Sequence, residues 1–279
     1  MSLMVSALLV LAPSLAAPRA DVTFATAPAQ VGQKTSVTSV NEMKMSMAMK
    51  MGANPLPKME MPTKEDVSCT VTVTAVDDKG PTAAKLVFGK STKMEPSPFG
   101  AAVEGDHSCS EKSYDVKRTD AGFVADPEAP QNEQETIGWL CDQALRTPLA
   151  TLLGGKTLKD GESIDVPAED AHRVIALLAS DLAVKEMKLT LTGQQSVNGV
   201  DAALFKVTAK MLKSPDGEDP TTVAVDVTGE IAVAKNSLLI LSSTLAGPVK
   251  IDGSMDQGGQ MLTMEGRGTV NAKYSAKRE

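Results

Sequence analysis

Methionine occupies positions 43, 45, 47, 49 and 51 of the stretch NEMKMSMAMKMG, with Met59 and Met61 close behind. In an extended chain alternate side chains share a face, so Met43, Met45, Met47, Met49 and Met51 form a line of thioethers. Three roles fit such a line. Thioethers are soft ligands that select Cu(I), and Met-x-Met pairs on one strand can share an ion; Met45, Met47 and Met49 are the candidate set. Methionine is also unbranched and polarizable, which suits the wall of a cavity that must fit variable apolar shapes. The third role is ordinary core, because Lys44, Ser46, Ala48 and Lys50 give the opposite face a normal half-exposed pattern. No His or Trp stands among the five, and one metal site needs fewer sulfurs than this.

Little else in the chain has a catalytic spacing. His107 sits in the polar loop GDHSCS and His172 on the early turns of a helix, with no motif around either; both are expected to be solvated surface side chains. There is no G-x-S-x-G elbow, and Gly154-Gly155-Lys156 lacks the spacing of a phosphate-binding loop. CxxC, HExxH and EF-hand patterns are absent too. The expectation is a protein that is not an enzyme and carries no cofactor. Cys69, Cys109 and Cys141 make an odd count. In an oxidising compartment one disulfide and one spare thiol is the simplest account, with Cys109 and Cys141 as the expected pair. Cys69 lies in a strand pattern and is expected to behave as a small buried hydrophobe.

These residues must be positioned mainly by strands. Val31 to Met51 reads as one long strand, and the three prolines of ANPLPKMEMPTKED read as a wide turn or edge connection. Val67, Cys69, Val71, Val73 and Ala75 then alternate with Ser and Thr, and Asp77-Asp78-Lys79-Gly80 signals a hairpin. Near residue 130 the period changes. Ile137, Leu140, Cys141, Ala144 and Leu145 recur at helical spacing, Pro148 interrupts, and a second helix is expected from Ala168 to Ala183. Strands return with Met187, Leu189 and Leu191 on one face and Ala203, Phe205, Val207, Ala209 and Met211 on another. A helical insert over about 131–183 between two β runs argues for one α+β domain over 21–279.

The net charge is −7 with scattered basic residues, and eight aromatic side chains are few for base stacking; a nucleic-acid partner is not expected. The apolar run Leu3 to Ala12, followed by Ser14-Leu15-Ala16, reads as a signal peptide over 1–20. It is about half of the ~20 residues a membrane span needs, so stable insertion is not expected. No cysteine follows it as a lipid anchor. The expected location is periplasmic or secreted.

Long antiparallel strands around a central helical segment resemble the half-barrel carriers of the bacterial envelope, namely the lipoprotein-localisation factors and the mycobacterial lipid-binding lipoproteins. Two local features are similar to those of a further group of secreted bacterial proteins. One is the Met-alternating strand Lys44 to Met51 followed by the VTVTAVDDKG hairpin; the other is LKDGESIDVP at 158–167. The resemblance implies a strongly curved sheet with the helical segment packed on its concave face. It also implies an apolar small molecule or lipid as partner. The wall would then be Met43, Met45, Met47, Met49 and Met51, with Val71, Val73, Leu189, Leu191, Phe205 and Val207 from other strands. No catalytic or ligand residue carries over from these families. Two alternatives remain open, an envelope structural or interaction protein with a closed core, and a Met-rich Cu(I)-binding protein.

Overall fold

The structure, a computed structural model, describes residues 21–97, 102–120, 122–175, 182–215 and 220–279. The signal segment expected over 1–20 and the last turns of the helix expected to reach Ala183 lie outside these residues. The strands of the first half are β1 (Val22–Thr23), β2 (Lys34–Met51), β3 (Asn54–Pro55), β4 (Met59–Asp77), β5 (Gly80–Phe88), β6 (Thr92–Glu95), β7 (Val103–Asp106), β8 (Ser113–Thr119) and β9 (Gly122–Ala125). Helices α1 (Gln131–Cys141), α2 (Ala150–Leu153) and α3 (Ala168–Ile175) follow, with a π-turn over Asp142–Arg146. The strands β10 (Thr157–Leu158) and β11 (Ser163–Asp165) are interleaved with them. The second half is β12 (Ala183–Val197), β13 (Val200–Lys213), β14 (Thr221–Ala234), β15 (Ile240–Gln257) and β16 (Gln260–Arg278).

One antiparallel sheet runs in the order β11-β12-β13-β14-β15-β16-β2-β4-β5-β8-β9, with β3, β6 and β7 attached along its margin. It is an open, curved sheet with β11 and β9 as its edges, the α+β architecture expected. Local chemistry sets the hairpins. Asn198 and Gly199 both have positive φ (53° and 79°), the two-residue turn whose twist matches the flanking strands β12 and β13. The two halves meet where β16 pairs with β2, in register from Leu262↔Met51 to Arg278↔Thr35. That seam requires glycine at 268, because a Cβ there would stand 2.2 Å from the Lys44 carbonyl oxygen.

One expectation is corrected. Met59 to Asp66 is not a turn but the first part of β4, paired with β2 from Met47↔Met59 to Val40↔Asp66. Pro62 is tolerated because β6 covers the other side of β4 only from Lys64 to Asp66. The result adds Met59 and Met61 to the face that carries Met45 and Met47.

The helices pack on the face of the sheet that carries Val67, Val71 and Val73, and Leu189, Leu191, Phe205 and Val207 are buried beneath the same layer. Ile137, Leu140, Cys141, Ala144 and Leu145 form the buried stripe of α1 and its π-turn. Phe24 stacks on Phe205 at 5.9 Å between ring centroids, so residues just after the expected cleavage region plug the core. Each fully buried Leu or Phe side chain contributes roughly 1.5–3 kcal/mol.

Glu133 ties α1 to the sheet. It is buried, and it accepts hydrogen bonds from Lys112 Nζ at 2.7 Å and from the Tyr114 hydroxyl. Burial alone would raise its pKa, but the Lys112 and Tyr114 hydrogen bonds outweigh it and hold the carboxyl below its ordinary value. A depressed pKa stabilises the fold above the ordinary carboxylate range, and that contribution disappears as pH falls through the folded value. Glu133→Gln should therefore cost about 1.5–3 kcal/mol at neutral pH in chemical denaturation. The gap from wild type should narrow as pH falls below the ordinary carboxylate range.

Candidate functional site

The face shared by Val37 and Met43–Met51 changes character along its length. At the end under the helices it is sealed core. In the middle it opens into a polar cleft of about 780 Å³. Beyond the cleft its side chains are partly exposed. There Met45 is buried, but Met43, Met47, Met49 and Met51 are half-buried. Register places Met59 and Met61 of β4, Leu262 and Met264 of β16 and Met255 of β15 on the same face, all half-buried. From Met43 to Met51 this floor is about 27 Å long.

Glycines shape it. A Cβ on Gly266 would stand 2.5 Å from the Met47 sulfur, 3.2 Å from the Met45 sulfur and 3.1 Å from Ile251 Cβ. Gly253 lies beneath the Met264 methyl group in the same way. The thioethers therefore lie down over glycine gaps in the neighbouring strands and leave a shallow, compliant trough. Val71, Val73, Leu189, Leu191, Phe205 and Val207 are at most 2% exposed and belong to the sealed part. The structure thus separates the residues proposed as one wall. Met43, Met47, Met49 and Met51 form a partly exposed floor, whereas Met45 and the other six are buried.

The cleft at the head of the floor has two sides. Ser39 and Asn41 of β2, Glu65 and Val67 of β4, Lys93 and Glu95 of β6, Asp106 and His107 line the sheet side. Glu135 and Trp139 of α1, Asp142 of the π-turn, and His172 and Arg173 of α3 line the helix side. Gln143 Nε2 donates to the Arg173 carbonyl oxygen and fixes the π-turn against α3. Lys93 pairs with Glu95 at 3.0 Å and Glu65 at 3.5 Å, the Glu95 hydrogen bond doing most to raise its pKa. Asp142 faces Arg146 at 3.6 Å, and burial pushes its carboxyl up.

Both histidines line this cleft. The solvated surface position expected for His107 is corrected, since it is 6% exposed and its Nδ1 accepts the Cys109 backbone N–H at 3.1 Å. Burial lowers its pKa, which favours the neutral ring. His172 is half-buried on α3. Among the polar atoms of the lining, Ser39 Oγ, Trp139 Nε1 and Asp142 Oδ1 are buried and make no hydrogen bond. Each such atom costs about 1–3 kcal/mol in a finished core. Sequence patterning missed the cleft because its lining comes from loops and from strand positions that only register brings together.

The expected Cys109–Cys141 disulfide does not form. All three cysteines are free and buried in the same core, with Cys69 near both Cys109 and Cys141. Cys69 is the small buried hydrophobe expected of it. No helix among the described residues is long and apolar enough to cross a membrane.

No protein-family model matches the chain, and no curated protein matches it. Among solved structures, it is similar to lipovitellin in a structure of its lipid–protein interactions. That match has 9% identity and a TM-score of 0.40, over 86% of this chain but 25% of the longer one. An outer-membrane channel from Pseudomonas putida F1 matches at 8% identity and a TM-score of 0.24, over 90% and 97% of the two chains. A LolA superfamily protein from Nitrosomonas europaea matches at 7% identity and a TM-score of 0.14, over 82% and 84%. At these values the likenesses bear on none of the residues of the site.

Burial pushes the Cys69 thiol up to about 12 and the Cys109 thiol up to about 11, and raises Cys141 as well. Thiol titration at pH 8 should therefore find no reactive cysteine in the native protein and three in denaturant. Reduction should leave the intact mass unchanged.

Proposed function

We propose that this is an exported, non-enzymatic protein that holds an apolar, acyl-type chain against the uncovered half of its curved sheet. The observation that carries this reading is the partly exposed floor of Met43, Met47, Met49 and Met51 with Met59, Met61, Met255 and Met264. On the same sheet face, beneath the helices, apolar side chains are sealed. A long run of partly exposed apolar side chains supports a binding surface there. Thioethers over glycine gaps accept chains of differing length and unsaturation without repacking. The apolar run Leu3 to Ala12 and the small residues after it support export.

A second reading is favoured by one detail. The Met45 and Met47 sulfurs converge on the space above Gly266, where a single Cu(I) could bridge them. The two readings separate cleanly. Replacing Met45 and Met47 together by Leu keeps volume and apolarity, so it should leave chain binding unchanged and abolish any Cu(I) binding.

Native mass spectrometry of the protein purified gently from its own host should show a retained mass of several hundred daltons that chloroform extracts. With the stripped protein, dodecanol should bind saturably. Met47→Asp should weaken that binding at least about tenfold, because a buried carboxylate meets the chain. A bare mass together with no saturable binding of dodecanol would overturn the reading.

A further inference from the structure

The floor uses methionine where the sealed part of the sheet uses other apolar residues. Inward positions in the core are mainly Val, Leu, Ile, Phe and Ala, with Met187 and Met211 as exceptions, each 3% exposed. Leucine would give the floor similar volume and apolarity. Beyond compliance, what methionine adds is a sulfur lone pair, and three features decide what that lone pair meets.

The sulfurs are massed on one face. Register sets Met61 opposite Met45 and Met59 opposite Met47 on β4, and Met264 opposite Met49 on β16. Directly opposed residues have Cβ atoms about 4.5–5.5 Å apart, so each of these thioethers has another beside it. Among the described residues, the methionines outside both core and floor are Met94 and Met261. Met94 lies opposite Lys64 and Met261 opposite Asp256, on the other face of the sheet.

The thiols are withdrawn. Cys69, Cys109 and Cys141 are all buried, and burial keeps each of them protonated near neutrality. The thiolate is the form that attacks an oxidant. An oxidant that reaches the folded protein therefore meets thioethers first.

The floor has no donor for an added oxygen. From Met43 to Met47, β2 is paired on both sides, by β16 and by β4. Its backbone N–H groups are committed to those ladders. A sulfoxide oxygen there must turn to solvent or to whatever lies on the floor.

We propose that the floor is an oxidation site that controls its own occupancy: hydrogen peroxide converts the partly exposed thioethers to sulfoxides, and the polar floor that results releases the chain. The sulfur lone pair attacks one peroxide oxygen, so that an S–O bond forms as the O–O bond breaks. Sulfur loses two electrons and the peroxide gains them. The departing hydroxide takes the proton of the new S–OH group, leaving methionine sulfoxide and water. The release rests on the chain-binding reading above; the site of oxidation does not.

The test treats the protein with hydrogen peroxide, follows each methionine by peptide mass mapping, and measures dodecanol binding by calorimetry on the same samples. Met261, 51% exposed, is the reference for an open surface thioether. Met47, Met49, Met51, Met59, Met61 and Met264 should gain oxygen within about fivefold of its rate, and Met187 and Met211 at least about tenfold more slowly. Dodecanol affinity should fall at least about tenfold once the floor is oxidised. It should return after treatment with methionine sulfoxide reductases of both epimer specificities. A second protein carries Met47→Leu, Met49→Leu, Met59→Leu, Met61→Leu and Met264→Leu. Its readout is the ratio of its affinities before and after peroxide, which should stay within about twofold of one.

Oxidation of Met187 and Met211 in step with the floor, or a floor as slow as they are, would overturn the oxidation site. Unchanged dodecanol binding by the oxidised protein, or an equal loss in the leucine variant, would overturn the release and leave the chain-binding reading standing. Absence of dodecanol binding before peroxide would overturn that reading and the release with it.

Discussion

The structure depends on one topological constraint. The strand that precedes α1, β9, and the strand between α2 and α3, β11, are the two opposite edges of an open sheet. The chain between them must cross the whole sheet, and it does so over one face. It is too short to cover that face. β2 spans 18 residues, about 60 Å of strand. The longest helix of the crossing, α1, has 11 residues and is about 16 Å long. A layer of that size closes one end of the strands and leaves the other partly exposed. The division into sealed core, polar cleft and open floor follows from this mismatch of lengths.

Residue choice along each strand matches the division. Under the helices the inward positions of β4 are Val67, Cys69, Val71 and Val73, small side chains that pack to density beneath Ile137 and Leu140. At the rim of the helical layer they become Glu65 on β4, and Ser39 and Asn41 on β2, which border the cleft. Past the rim they become methionine. A bare floor of Val or Ile would be rigid and shaped for one partner, whereas thioethers over Gly253 and Gly266 can rearrange at little cost. A further glycine, Gly268, allows β16 to lie close against the β2 backbone at the seam between the halves.

Much of the fold was legible in the sequence because alternation is local. Met187, Leu189 and Leu191, and the helical stripe from Ile137 to Leu145, announce their faces within a few residues of themselves. The Met59–Asp66 segment was not legible, because three nearby prolines signal a turn, and only the one-sided pairing of β4 makes Pro62 acceptable. His107 looked solvated because its neighbours Gly105, Asp106 and Ser108 are polar. Its burial comes from β4, β6 and α1, which are distant in sequence. Cys109 and Cys141 looked pairable by count alone, and count says nothing about distance. The methionine row itself was ambiguous in principle. Period-two alternation is identical for a sealed strand and an open one, and only the reach of the helices decides between them.

The central claim is that one face carries both closed core and an open apolar floor, and that the floor is where a chain binds. The most direct measurement is a methyl NMR titration of the protein, labelled at the methionine methyl groups, with dodecanol. Met43, Met47, Met49 and Met51 should shift progressively and saturate together with Met59, Met61 and Met264. Met187 and Met211, sealed in the core, should stay fixed. Uniform shifts that include Met187 and Met211, or none at the floor positions under saturating dodecanol, would contradict the account.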